Sequence, residues 1–486
     1  MQHSVTQPVV ILRSIVNRQT HHLFYSLSLF LKGIMGTFRV CIVGGGLAGS
    51  LLANGLINNG VDTIVFERDE ENLKREGYQI RLGDAAMTGL ASCLTDSQLE
   101  AIVQRLGRYS GSSKTAPSIC NTKFQTILDL SALPTYSKSS AINRVVLRDL
   151  LLDPVAAKGK VKFGKQFSHY EITKNGVGGN ESVKVIFKDG LSEYCDILVA
   201  ADGSGSKINK QIGAKNIVDL KSHLSFLSKG NVTKARLRQL PPRLLNGPVL
   251  AFKNGISLYY ALYLPVCQQK GGSQEQYGDF DFDENQASFY WGLSVPREMC
   301  PFDDPSDISD KRQFCLEIVR DWAPEYRVML SPGVDEDNIT VTMLRASTKL
   351  SKNWRQQLRS RNGNPDEEGH PRVWLVGDAV HAMQPNRGMG GNQAMRDIAD
   401  VLPELLELNR AAEAGPPLSS KEIETRCNSY ETQMIDRSFD WVAKSGGTAQ
   451  PTVDLDGLLG SVISFLASLL LPVATILYKA SKGSKQ

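Results

Sequence analysis

An α/β fold, in which a Rossmann-like dinucleotide-binding domain is interrupted by an antiparallel β-sheet domain, is predicted by three features of the sequence. Phe38 to Arg68 reads as strand, glycine-rich turn, helix and strand. A second apolar strand, Val373 to Val376, runs into another glycine-rich turn. Between them, from about Gly213 to Leu350, the texture changes to aromatic, strand-like runs. The 486 residues exceed what one hydrophobic core usually supports, so two domains in close contact are expected.

Residues 1–37 read as an extension. No Asp or Glu occurs from Met1 to Val61, while Arg13, Arg18, Lys32 and Arg39 are present, an acid-poor composition shared with transit peptides. Met35 just ahead of the first strand offers another start, and Leu23 to Leu31 is too short to span a bilayer. An overlong start, a membrane-associating end and an organellar signal therefore stay open.

Residues 38–212 form the first part of the dinucleotide domain. Phe38 to Val43 is an apolar run of strand length broken only by Arg39. Leu47, Leu51, Leu52, Leu56 and Ile57 recur at helical spacing, and Thr63 to Phe66 is β-branched and aromatic. A helix is expected over Ala141 to Ala156, with short strands at Val183 to Phe187 and Cys195 to Ala200. Residues 213–350 form the inserted domain, where Ile256 to Leu264 and Ala287 to Val295 read as neighbouring antiparallel strands around a polar loop, Gln268 to Glu284. Residues 351–445 complete the first domain with a polar loop, Asn353 to Pro371, and helices over Asn392 to Leu408 and Lys421 to Ala443.

Residues 457–478 read as a hydrophobic membrane-associating segment. Gly457 to Tyr478 carries no charge and has transmembrane length, but Pro472 interrupts it, so a kinked span, a re-entrant segment and an interfacial helix are all compatible, with a buried terminal helix as the alternative to membrane attachment. Lys479, Lys482 and Lys485 follow; by the positive-inside rule they would face the cytosol, which for a single span puts the body of the chain on the far side, so the orientation stays open.

Four motifs carry the chemistry. Gly44-Gly45-Gly46-Leu47-Ala48-Gly49 is a GxGxxG turn between strand and helix, with Glu67 at the end of the next strand. Gly44 permits the tight turn, Gly46 lets backbone approach a pyrophosphate, Gly49 lets helix and strand come close, and Glu67 can accept bonds from ribose hydroxyls. Arg144 projects near the start of the expected helix Ala141 to Ala156 and can bond phosphate bidentately, though an arginine in such a place is as readily a solvated or salt-bridged one. Asp202 and Gly203 end the strand Asp196 to Ala201, an acid placed to bond sugar hydroxyls. Gly377 and Asp378 end the strand Val373 to Val376, followed by His381 and by Pro385, Gly388, Gly390, Gly391 and Asn392 at a helix start. Such a start directs N–H groups and positive dipole at developing negative charge. His381 reads as a packed residue at least as readily as a functional one. Tyr259, Tyr260, Tyr263, Tyr290 and Trp291 are candidates to roof a substrate pocket, with Tyr259, Tyr290 and Trp291 foremost, although aromatics alternating on strands are core residues at least as often.

The net charge of +4 gives no footing for nucleic acid, and the eight cysteines show neither a C-x-x-C pair nor metal-ligand spacing, so reduced thiols and no metal are expected.

In this order the motifs resemble those of the group A flavoprotein monooxygenases, the para-hydroxybenzoate-hydroxylase-like family with its fungal secondary-metabolite members, over about Phe38 to Ala443. The resemblance implies a GR2-type FAD-binding domain. FAD would be held by Gly44, Gly46, Gly49 and Glu67 at the ADP half, by Arg144, by Asp202 and Gly203, and by Gly377 and Asp378 at the ribityl chain, with Pro385 to Asn392 beside the flavin ring. It implies NADPH or NADH as co-substrate, docking transiently, and hydroxylation or epoxidation of a hydrophobic small molecule by O2 through a C4a-hydroperoxyflavin. One departure concerns Asn209, where family members usually place arginine. A flavin halogenase would carry WxWxIP, which Trp291 to Pro296 approaches but breaks at Leu293. An oxidase or dehydrogenase on the same fold and a non-catalytic escort protein of related fold stay open beside it. The expected location is the endoplasmic-reticulum membrane with the catalytic body in the cytosol, where NAD(P)H is supplied; cytoplasmic and mitochondrial locations stay open as well.

Overall fold

The computed structural model describes residues 38–470 apart from 72, 74–78, 108–113, 134–135, 176–179, 266–281, 303, 332–338, 362–366, 416–417, 450–453 and 468. The N-terminal extension, most of the Gln268 to Glu284 loop and the apolar segment beyond residue 470 lie outside the described residues.

β1 (Arg39–Val43) leads through the glycine turn into the helix Leu47–Asn58 and on to β2 (Asp62–Phe66). Then come β3 (Gln79–Leu82), β4 (Ser118–Cys120), β5 (Thr126–Asp129), β6 (Ser140–Asn143) and β7 (Val161–Lys162). β8 (Phe167–Asn175), β9 (Asn180–Phe187), β10 (Ser192–Cys195) and β11 (Ile197–Ala200) follow. The inserted region supplies β12 (Ile217–Asp219), β13 (His223–Asn231), β14 (Val249–Lys253), β15 (Ile256–Tyr263) and β16 (Ser288–Pro296). The last strands are β17 (Thr340–Thr342), β18 (Arg345–Ser347) and β19 (Val373–Leu375).

Five of these, in the order β19-β11-β1-β2-β7, make a parallel sheet. Its strands are apolar without alternation because both faces are covered: Val40, Cys41, Ile42, Ile197, Leu198 and Val199 are all fully buried. The sheet is therefore discontinuous in sequence, with β19 joining only after the insertion. The helix Ser420–Lys444 is fixed beside β19 by a buried charge pair. Arg355 donates to both carboxylate oxygens of Glu431, at 2.7 and 3.0 Å, and to the carbonyls of His370 and Val373; Trp354 Nε1 donates to the same carboxylate. Buried ions persist when every polar atom is satisfied in this way.

The second large sheet runs β17-β13-β16-β15-β14-β4-β5. It is antiparallel except where β4 pairs parallel to β14, so it draws two strands from residues 118–129, ahead of the expected boundary at residue 213. Three local expectations are corrected. Ala141 to Asn143 belong to β6, and the helix begins at Arg144, capped by the Asn143 side chain. The strand expected at Cys195 to Ala200 divides at Asp196, whose carboxylate accepts the Arg39 N–H at 2.8 Å. Within the expected loop Asn353 to Pro371, Trp354–Arg361 is a helix whose composition is polar because only its first residues are buried.

After the helix Ser420–Lys444, Leu455 N donates to the Phe252 carbonyl, and Asp456 accepts from Thr122 N at 2.8 Å and Lys253 Nζ at 2.9 Å. These bonds fix the chain against the second sheet where the apolar segment begins. Residues 458–467 are helical, with Leu458, Val462 and Phe465 exposed. Among the described residues no helix is long and apolar enough to cross a membrane.

Candidate functional site

The glycine turn is shaped by close approach. A Cβ at Gly44, where φ is +111°, would lie 2.3 Å from the Ala201 carbonyl oxygen at the end of β11, and one at Gly49 would lie 2.0 Å from the Gly44 oxygen. Gly46 differs: among the described residues no atom comes within 4 Å of a Cβ built there. Its open side lies at the start of the helix Leu47–Asn58, whose first turn has no side-chain cap and no acid, so the first N–H groups have no intrahelical partner. Open space beside uncapped donors fits a phosphate group.

Glu67 is buried at the end of β2, accepting from Gly45 N at 3.0 Å and Asp69 N at 3.1 Å. Arg148 Nη2 stands 3.3 Å from Glu67 and its Nε donates to the Gly45 carbonyl at 2.9 Å. Arg148 thus closes the turn against the acid, a contact that sequence reasoning missed. Its only signal was its position one helical turn after Arg144, on the same face.

At the end of β11, Asp202 Oδ2 accepts from Lys207 N at 3.1 Å, while Oδ1 is buried with no partner among the described residues. Desolvation raises its pKa against the opposing pull of the Ser206 hydroxyl and nearby N–H groups. Gly203 follows with φ +78°. An orphaned buried oxygen of this kind fits a hydroxyl or amide of a bound cofactor.

Asn209 is buried in the helix Lys207–Gln211, and its Nδ2 donates to Asn216 Oδ1 at 2.8 Å and to the Ala379 carbonyl at 2.9 Å. Asn216 Nδ2 in turn donates to the Val380 and Thr348 carbonyls. The amide pair holds the short helix Asp378–His381 from behind.

Gly377 takes φ +59° after β19 and its N–H donates to Asp397 Oδ2 at 2.8 Å. His381 is fully buried against the same carboxylate, so it supports the turn and does not reach the cleft. Arg437 Nη2 bonds both Asp397 and Asp400. The His381 and Arg437 side chains and the Gly377 N–H pull Asp397 below the usual carboxylate range, outweighing its burial. Asp378 instead turns toward the cleft and is exposed there, yet poor solvation deep in the fold raises its pKa; His381 and the Arg144 guanidinium oppose this.

The segment Pro385–Arg387 is a 3-10 turn, Gly388 is left-handed, and a long helix starts at Gly390. Gly390 and Gly391 are unobstructed except by Asp378, Met383 and Leu47 at 3.6 to 3.8 Å. Asn392 is committed within the protein: its Oδ1 accepts from Gly83 N and its Nδ2 donates to the Arg81 and Gly388 carbonyls.

Asp378, Pro385, Gly388, Gly390, Gly391 and Asn392 border one side of a cleft of about 550 Å³, and the second sheet forms the other. Tyr259 and Tyr290 line it, their ring centroids 6.0 Å apart. Trp291 does not. Alternation along β16 sends it to the opposite face, where it is 2% exposed among core residues with Tyr260; Tyr263 is likewise buried.

The family described as "FAD binding domain" matches residues 37–235 and 338–437. The dual O-methyltransferase/FAD-dependent monooxygenase elcB of Phaeosphaeria nodorum is 24% identical over 441 residues, covering 84% of this chain and 45% of that protein. The chloroplastic zeaxanthin epoxidase of Nicotiana plumbaginifolia is 26% identical over 412 residues, covering 81% of this chain and 52% of that protein. The chain thus spans about half the length of these two relatives. Klebsiella pneumoniae HpxO, solved with FAD and uric acid, superposes with a TM-score of 0.61 at 18% identity over 92% of this chain and 97% of that one, a likeness of fold.

Proposed function

The chain belongs to the FAD binding domain family, and from that premise we propose that it is a flavin-dependent monooxygenase that uses NADPH or NADH and O2 to hydroxylate or epoxidise a hydrophobic small molecule, of the kind made in secondary metabolism. One observation carries this reading. The Asp378 turn and the glycine-lined segment 385–391 border the same cleft as Tyr259 and Tyr290, so the groups suited to a flavin share a cavity with an aromatic wall suited to a substrate.

The turn Gly44 to Gly49 with Glu67 and Arg148 would hold the ADP half of FAD, Asp202 its middle, and Asp378 the ribityl hydroxyls. Bound FAD supplies hydride acceptance from the nicotinamide and activation of O2. The protein's part is positional. The N–H groups at the start of the helix Gly390–Glu413 and its dipole favour negative charge beside them. Asn209, Asn216 and Asp397 keep Asp378 in place through the backbone on either side of it. The sheet face excludes water and orients the substrate.

Location is part of the proposal. The exposed apolar helix 458–467 attaches the protein along a membrane surface, with the catalytic body in the cytosol.

The test is the reaction under labelled O2. The purified protein should release FAD on denaturation, and with its substrate should consume NADPH and place one atom of labelled O2 in the product. A product whose new oxygen comes from water, or that gains none, overturns the proposal.

A further inference from the structure

The second sheet presents the cleft with rows of side chains that differ in chemistry. In the registers of β17, β13, β16 and β15, Thr342, Ser225, Ser294 and Ser257 stand side by side, and all four line the cleft. Two residues along the strands, the next row is Leu227, Gly292 and Tyr259, which line it too. One row is hydroxyl and the other apolar with a gap at its centre.

The gap is shallow and tightly bounded. A Cβ at Gly292 would lie 3.1 Å from Leu227 Cδ2 and 3.9 Å from the Tyr290 hydroxyl, so even a methyl there would press the Leu227 tip aside, and a larger side chain would stand out over the wall between Leu227 and Tyr259. Burial makes the hydroxyl row demanding. Ser225 is 2% and Ser294 8% exposed, and their oxygens are 3.5 Å apart, at the limit of a hydrogen bond. Each hydroxyl has one donor and two acceptor sites, so this long contact leaves capacity for a ligand. No member of the row is charged. Of the arginines bordering the cleft, Arg345 pairs with Asp219 at 2.7 Å, and Arg81 directs Nε and Nη2 at the oxygens of Ser139 and Thr115.

Resting on the reading of this cleft as the substrate site, we propose that Gly292 and the row Ser225, Ser294 and Ser257 select the substrate. The wall takes a flat, uncharged, oxygenated ring system, its ring plane over Gly292 between Leu227 and Tyr259 and its carbonyl or hydroxyl oxygens on the serines. A carboxylate seated on the row is disfavoured because the hydroxyls would desolvate it there without a charged group among them.

The test uses equilibrium dialysis of the purified protein with 1,8-dihydroxyanthraquinone, anthraquinone-2-carboxylate and anthracene, with FAD content and unfolding midpoint measured in parallel. The dihydroxy compound should bind about tenfold or more tighter than either other probe. Gly292→Leu should weaken it by about tenfold or more, and Ser225→Ala with Ser294→Ala by about five- to tenfold. FAD content should stay at the wild-type level in both variants. Gly292→Ala, which needs only the tip of Leu227 to yield, repeats the test if the leucine variant does not fold. Equal binding of the three probes, tighter binding of the carboxylate, or unchanged binding in the variants overturns the proposal. Dialysis does not depend on flavin, so a wild-type protein lacking FAD would refute the monooxygenase reading separately.

Discussion

The His381 Nε2 and the Asp397 Oδ2 stand 2.6 Å apart with neither side chain exposed to solvent. The same oxygen accepts the Gly377 N–H, so one carboxylate holds both ends of the short turn that carries Asp378. Asp397→Ala would leave the Gly377 N–H, the His381 imidazole and part of the Arg437 guanidinium buried without their acceptor. The expected cost is about 3–5 kcal/mol, read by denaturant unfolding, together with loss of bound flavin. A variant of wild-type stability and full FAD content would show the turn to be held by its backbone alone.

Gly46 and Gly49 should respond in opposite ways to one substitution. At Gly46 a side chain meets open space and an ordinary backbone conformation, so Gly46→Leu should fold with a near-wild-type unfolding midpoint while losing FAD to the occupied phosphate position. At Gly49 a Cβ collides with the Gly44 carbonyl, and Gly49→Leu should be destabilised by about 1–3 kcal/mol or more. FAD bound at wild-type affinity by Gly46→Leu would mean that the turn does not receive the pyrophosphate.

The raised pKa of Asp378 has a pH signature. A carboxyl whose pKa rises on folding favours the folded state only while protonated: that contribution is present below the ordinary aspartate value of about 3.9 and is lost as pH climbs through the raised folded value. Flavin-free Asp378→Asn should therefore gain stability over wild type as pH rises from about 4 toward 7. Across the same window FAD affinity should rise in wild type, because hydroxyl donors favour the ionised acid, and rise less in the variant, where Asp202 alone of the two raised acids remains. Thermal midpoints and FAD titrations at several pH values test both, and parallel profiles for the two proteins would refute the assignment.

The parts of the site that sequence made legible are those with local causes. The turn Gly44 to Gly49 is written in glycines because close approaches at Gly44 and Gly49 exclude a Cβ, and the strands around it are apolar because both sheet faces are covered. Trp291 was misplaced because alternation along β16 defines two faces without saying which looks into a cavity, and here neither face is open to solvent. Arg148 went unnoticed because Glu67, its partner, is far away in sequence. The same distance hid the pairing of β4 with β14. Asn392, expected to face a ligand, proved to be used up by Gly83, Arg81 and Gly388, since an amide announces its capacity but not its partners.

The gap in sequence between β11 and β19 sets a timetable for the growing polypeptide. When Leu198 leaves the ribosome, the partner for that edge, Val373, has yet to be made. At ~5–20 residues per second the wait is roughly ten to thirty seconds. During it β11 offers an unpaired apolar border, the kind of template that recruits stray strands. The inserted sheet can close on itself in that interval, since β13 to β17 come from one stretch. A ribosome stalled, or a message cut, before Val373 would release a chain with the inserted sheet finished and the FAD-binding domain unfinished, and such fragments should be recovered in aggregates or on chaperones.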